Sequence, residues 1–333
     1  MNFDLTRRAM LGALPALGLA GVAAAQTPLQ QPGHRPGHQP GPGERVFQPG
    51  EEFTPSLDTW LDLYGRPTTK VMLNGKGPFS FMVDTGSTVT VLAQRHLATV
   101  GAPIIGKVTV AGTTGMAETP MARVDLFEAG IAKQKSVHMA VLPDSGVANI
   151  DGILGADLFA GRRLRFDIKR KSVRIEESRQ PTYVPPKSIM RVRNKMLAEI
   201  DGRIGKVPCK LMLDTGAQNC IANLKLSQAL LKAHPKLMRL DNVKVFGVTG
   251  HVLTGQFIAM PQVETRAFYV EDATAVALDA PIFEQWKLND EPAMIVGMNL
   301  LSRLHSFTLD YGAKSFDAKL FAEMIAGNMI GLG

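Results

Sequence analysis

The chain has 333 residues, 45% hydrophobic and 20% charged. That is a globular balance, which leaves room for two domains with separate cores and excludes a wholly disordered chain. The net charge is +7 and the pI about 9.4, but the basic residues are scattered and aromatics reach only 6%, so no nucleic-acid partner is expected.

Residues 1–25 read as an export signal. Arg7 and Arg8 precede an apolar run from Ala9 to Ala24, and Ala23-Ala24-Ala25 offers a cleavage site before Gln26. The arginine pair favours the twin-arginine route over the general secretory one, which predicts a periplasmic or secreted protein. The run is short and rich in Gly and Ala, and no other segment reaches the ~20 apolar residues of a membrane span. Residues 26–52 carry "PGHRPGHQPGPG", a solvated linker composition, and stand as either a spacer or a removable pro-segment. His34 and His38 lie in it without a ligand partner at metal-site spacing, so neither a metal nor another cofactor is expected.

From there the chain repeats itself. "GPFSFMVDTGS" (Gly77 to Ser87) returns as "VPCKLMLDTGA" (Val207 to Ala217), so Asp84 and Asp214 both end an apolar strand at a D-T-G turn. A buried acid is costly unless something pairs with it, and two copies of that setting point to a pair. Each turn is followed by a helical stretch, "LAQRHLATV" and "LKLSQALLKAH". Next come two hairpin candidates, "VTVAGTTGMAETP" (Val108 to Pro120) and "VKVFGVTGHVLTG" (Val243 to Gly255). Their glycines, Gly112, Gly115, Gly247 and Gly250, mark projecting flaps. Apolar-glycine segments follow, "IDGILGADLF" and "AMIVGMNLL", then closing hairpins around Asp167 and Asp310, each with Lys-Ser after it. The Pro-rich "ESRQPTYVPPKS" separates the halves. The expected architecture is all-β, with two similar lobes at 53–180 and 181–333 and a cleft between them.

Cys209 and Cys220 flank Asp214 on what read as consecutive strands. A cross-strand disulfide and a pair of small buried hydrophobes are both open.

The D-T-G-S/A turns, each with a downstream I-L-G-x-D/N-L segment, resemble the retropepsin-like aspartic peptidases. The likeness rests on Asp84-Thr85-Gly86-Ser87, Asp214-Thr215-Gly216-Ala217, Ile153-Leu154-Gly155 and Ile295-Val296-Gly297. It implies Asp84 and Asp214 as the catalytic pair, with Thr85 and Thr215 hydrogen-bonding across the two-fold. It implies an extended peptide as substrate, and with both turns in one chain dimerisation is not required. The Arg and Asp that commonly pair behind the turn in that family are replaced by Ala156 and Met298, and by Thr88 and Gln218. Placement of the residue after the glycine, as in that fold, lets the Ser87 hydroxyl donate to Asp84 while Ala217 cannot. Asp84 is then expected to be the ionised partner and Asp214 the protonated one.

Two such acids share one proton and suit water-mediated hydrolysis, the handling of an amide bond for which aspartic proteases are the standing example. A glycosidase also uses two acids but has no need of twin D-T-G turns. A binding protein on the same fold that holds peptides without cutting them is the alternative.

Overall fold

The structure is a computed structural model that describes residues 65–147, 149–178, 189–194 and 196–321. Residues 1–25, read as an export signal, residues 26–52, read as a linker, and most of the Pro-rich connector lie outside the described residues.

The first lobe begins with β1 (Thr68–Leu73) and β2 (Lys76–Val83), joined by Asn74-Gly75. Both turn residues have positive φ, 51° and 71°, the geometry that makes Asn-Gly a two-residue hairpin turn. Short β3 (Val91–Ala93) leads through a 3-10 turn into α1 (Leu97–Val100). Three long strands follow, β4 (Ile104–Gly112), β5 (Gly115–Ala129) and β6 (Ala132–Leu142), and then β7 (Gly152–Leu154). They form one sheet in the order β1-β2-β7-β3-β6-β5-β4, with β1 also pairing β5, so the sheet curls back on itself.

The second lobe repeats this plan with one extra edge strand. After β8 (Arg162–Asp167) and β9 (Ser172–Glu177), discussed below, come β10 (Arg191–Arg193), β11 (Leu197–Ile204), β12 (Val207–Leu213) and β13 (Cys220–Ala222). Helix α2 (Leu224–Ala233) buries Leu226 and Leu230 and is capped by Asn223, whose side chain accepts from the Leu226 amide. β14 (Arg239–Phe246), β15 (Val252–Thr265), β16 (Tyr269–Ala277), α3 (Pro281–Gln285), β17 (Ala293–Val296) and α4 (Met298–Leu301) complete the lobe. The sheet order is β10-β11-β12-β17-β13-β16-β15-β14, with β11 also pairing β15. Apart from β10, each strand occupies the place of its sequence repeat.

In both lobes the apolar-glycine strand inserts between the strand entering the D-T-G turn and the strand leaving it. β7 runs parallel to β2, with Met82 opposite Ile153, and β17 runs parallel to β12, with Met212 opposite Ile295. Buried on both faces, these strands read as unbroken apolar runs rather than alternating ones. That insertion also decides the cysteines. β17 separates β12 from β13, so Cys209 and Cys220 lie on strands that are consecutive in the chain but not neighbours in the sheet. Both are free and buried, and the disulfide reading gives way to that of two small hydrophobes. Burial, the leading cause, pushes both thiols up to about 12.

The two closing hairpins do not stay with their own lobes. β18 (Ser306–Asp310) pairs with β8, and with β19 (Ser315–Lys319) they make a shared four-stranded sheet, β19-β18-β8-β9. Phe166 lies opposite Phe307 across that seam, their rings stacked 4.5 Å apart. One apolar core takes in Phe81, Val83 and Leu154, then Leu211, Leu213 and Val296, and Phe166, Phe307 and Phe316 of the shared sheet. The halves are repeats built on a common floor.

Candidate active site

Each D-T-G turn hangs from a strand whose last three residues are buried. The Asp84 amide donates to Leu154 O at 3.0 Å and the Asp214 amide to Val296 O at 3.1 Å, so the inserted strand fixes where each acid begins. Asp84 Oδ1 accepts from the amides of Gly86 (2.8 Å) and Ser87 (3.0 Å). Asp214 Oδ1 accepts from Gly216 (2.8 Å) and Ala217 (3.0 Å). The two nests are superimposable in chemistry and length.

Thr85 and Thr215 lock the turns to each other. The Thr85 hydroxyl donates to Leu213 O (2.7 Å) and accepts from the Thr215 amide (3.1 Å). The Thr215 hydroxyl donates to Val83 O (2.6 Å) and accepts from the Thr85 amide (3.2 Å). All four groups are buried, so each bond acts in a low dielectric and is costly to leave unmade. Gly86 and Gly216 are required by close approach. A Cβ on Gly86 would overlap the Asp214 carboxyl group, and one on Gly216 would overlap that of Asp84. The two carboxyl groups therefore each lie against the other turn's glycine.

Their proton affinities follow. Burial raises Asp84, while the Gly86 amide, the hydrogen bond with Asp214, the Arg66 charge and the Ser87 amide pull it back. Burial raises Asp214 well above the ordinary carboxylate range, and the charge of Asp84 and its hydrogen bond raise it further. Burial raises both acids, and the two hold one proton between them. The hydrogen bond expected from Ser87 to Asp84 is not made. The Ser87 hydroxyl donates to Val89 O at 2.8 Å, not to Asp84, and the Ser87–Ala217 difference is silent at the carboxylates.

A second set of residues supports the turns from behind. Asp157 accepts from the Thr90 amide (3.1 Å) and hydroxyl (2.8 Å), and the Gly155 amide donates to the same hydroxyl (3.1 Å). In the second lobe Asn299 Oδ1 accepts from the Cys220 amide (2.9 Å) and thiol (3.1 Å), and its Nδ2 donates to Thr274 O (3.0 Å). Thr90 and Cys220 stand six residues after their respective Asp. The D/N of the I-L-G-x-D/N-L segment was the available signal, but its partner could not be known without the strand order. Ala156 and Met298, where the family commonly has Arg, are buried, and their amides donate to Ser87 O and Ala217 O, each at 2.8 Å. Main-chain bonds hold the turns where a charged pair is missing.

The flap candidates are hairpins. Gly112 pairs with Gly115 around a two-residue loop between β4 and β5. Phe246 pairs with Val252 around a five-residue loop holding Gly247 and Gly250, the latter at φ 80°. The tips meet: the Thr114 hydroxyl donates to His251 O. Their apolar undersides face different small cores. Val108 and Val110 join Met82, Val91 and Leu142 in the first lobe, and Val243, Val245 and Leu253 join Leu278, Ile282 and Trp286 in the second. Each flap also reaches across, Val248 onto the first-lobe cluster and Ala111 onto the second.

Among the described residues no group of three or more His, Cys, Asp or Glu is placed to hold a metal, and no helix is long and apolar enough to cross a membrane.

Two similar all-β lobes meeting at interlocked D-T-G turns define the acid-protease fold. Residues 69–158, most of the first lobe, match the family model described as aspartyl protease, so that lobe is similar to the retropepsin-like aspartyl proteases. The matched stretch runs from β1 through the apolar-glycine segment and includes Asp84. No curated protein matches the chain.

Proposed function

We propose that the protein is an aspartic endopeptidase whose catalytic pair is Asp84 and Asp214. The observation that carries this reading is the mutual enclosure of the two acids, each held by its own two amides and set against the other turn's glycine. Ionised Asp84 takes a proton from a water between the carboxyls as its oxygen adds to the peptide carbonyl. Asp214 gives its proton to the carbonyl oxygen, forming a neutral diol. Collapse of the diol breaks the C–N bond, with Asp84 passing its proton to the leaving nitrogen and Asp214 recovering one from a diol hydroxyl. No acyl-enzyme forms. An extended peptide would lie under the flaps and pair with their backbone edges, and one chain supplies both acids without a partner subunit.

Incubating the mature chain with a diverse peptide mixture and mapping products by mass spectrometry tests the reading. Cleavage that disappears in Asp84→Asn and Asp214→Asn is expected. Peptides retained but uncut by the parent chain would overturn it in favour of a binding protein. For the precursor we propose export by the twin-arginine route. Replacing Arg7 and Arg8 with Lys should strand it inside the cell, because lysine does not reproduce a guanidinium pair. Export at an unchanged rate would refute that route.

A further inference from the structure

The two halves treat their acids almost identically. Asp84 and Asp214 each receive two amides at 2.8 and 3.0 Å, and each turn is held by a threonine from the other half. A charged side chain breaks the repeat.

Its place is set by strand register. β1 and β2 pair Thr68 with Met82, and the Val83 amide donates to Pro67 O at 2.8 Å. Carried on by two residues from Thr68, that register sets Arg66 opposite Asp84. Residues directly opposite in an antiparallel pair project to the same face, with Cβ atoms about 4.5–5.5 Å apart. Pro67 keeps Arg66 in line, because a residue before proline is confined to extended backbone. In the second half β11 and β12 pair Glu199 with Met212, so the same count brings Leu197 opposite Asp214. Leu197 is 1% exposed and joins Met212, Ile221 and Ile295 in an apolar cluster. A guanidinium group thus stands on the side of the first acid and a hydrocarbon on the side of the second.

The electrostatics agree. The Arg66 charge is among the influences that pull Asp84 back after burial has raised it, whereas Asp214 is raised by burial and then by Asp84. The ionisable groups packed behind the pair are of another kind. Burial, and then the charges of the two acids, raise the Tyr311 hydroxyl just after β18. Burial pushes the Cys220 thiol of β13 up to about 12. Asp157, behind the first turn, is raised by burial and bonded to Thr90. In the second half, Arg191 and Arg193 of β10 are engaged by Glu199.

We propose that Arg66 is a positioning residue for the charge of the acid pair: its guanidinium keeps the negative charge on Asp84, so that the first turn supplies the base and the second the acid. The roles of base and acid rest on the peptidase reading above, whereas the bias between the two carboxyls is a property of the folded chain.

The test uses the full mature chain. Arg66→Leu copies the second half, Arg66→Gln removes the charge but keeps a polar side chain in case the leucine variant does not fold, and Arg66→Lys keeps the charge. A nearby cation favours the ionised carboxylate, so its loss must raise the pKa. On a cleaved peptide, Arg66→Leu and Arg66→Gln should move the acid limb of kcat/KM up by roughly half to one pH unit. Arg66→Lys should leave it close to the parent's. Carbon-13 NMR of labelled aspartate carboxyls reads the bias without turnover. With Asp214→Asn in place, Asp84 is the single acid of the pair, and removing the Arg66 charge should raise its pKa by a similar amount. With Asp84→Asn in place, the same change should move Asp214 by less than half as much. Equal shifts on the two acids, or no shift on either, overturn the proposal. So does an acid limb that Arg66→Lys moves as far as Arg66→Leu does. Unequal shifts in a protein that cuts no peptide would leave the role of Arg66 standing and bring down the peptidase reading alone.

Discussion

Burial makes a carboxyl group hold its proton, and Asp214 has the most reason to. Its pKa in the folded chain is raised by burial and then by Asp84, so the folded state binds that proton more tightly than the unfolded one. The favourable contribution is complete below the unfolded value of about 3.9 and is lost as pH rises through the folded one. Near pH 7 the acid is therefore a cost to stability. Asp214→Asn should abolish hydrolysis and at the same time raise the urea midpoint at pH 7, with the gain shrinking towards pH 4. A midpoint unchanged at both pH values would show that the pair carries no such cost. The Ser87–Ala217 difference belongs at this scale too. Because the Ser87 hydroxyl is engaged by Val89 O, Ser87→Ala and Ala217→Ser should each leave the pH–rate profile where it was. An acid shift in Ala217→Ser would mean that the added hydroxyl reaches the carboxylate after all.

The edge strand β10 has no buried residue and carries two arginines in its three positions. Glu199 on β11 is 2% exposed and accepts from Arg191 and Arg193, both on β10. Arg193 also donates to Trp286 O at 2.9 Å, which fastens the strand to the end of α3. A buried carboxylate depends on such partners. Arg193→Met keeps the bulk of the side chain but removes two charge-assisted contacts, and should lower unfolding stability by about 1–3 kcal/mol. A loss below that range in a denaturant titration would mean that Arg191 alone satisfies Glu199. The hairpins illustrate a different limit of element-level reading. Asn74-Gly75 declares its turn type in two letters, whereas the two flaps share a motif yet close through loops of different length. Their tips are shaped by contact with each other, which no local propensity encodes.

Across the whole molecule the lobes depend on the floor they share. Phe307 and Phe166 face each other where β18 meets β8, one from each half, and Phe316 lies beside Phe307 at 6.3 Å between ring centroids. Phe307→Ala should cost about 3–5 kcal/mol, and both lobes should lose stability in a single transition because one core runs through them. Two separated unfolding steps, with only one of them shifted, would show that the lobes fold independently of the shared sheet. The interlocked Thr85 and Thr215 turns predict the same cooperativity, since each hydroxyl reaches into the other half.

Repetition is the property that the sequence determined by itself. Two D-T-G turns, two glycine-containing hairpin candidates and two apolar-glycine segments in the same order specify two lobes of one plan, and each motif is local enough to be read from adjacent residues. Asp84, Thr85, Gly86, Asp214, Thr215 and Gly216 were legible for that reason. The tertiary structure decided everything that depends on which strand lies beside which. Insertion of β17 between β12 and β13 kept Cys209 from Cys220 and brought Asn299 to Cys220, and the matching insertion of β7 between β2 and β3 brought Asp157 to Thr90. Tertiary packing also decided that the closing hairpins join each other, that Ser87 turns to Val89, and that Thr114 meets His251. Hydrogen bonds between residues far apart in the chain follow from strand order and burial, and neither is carried by a short motif.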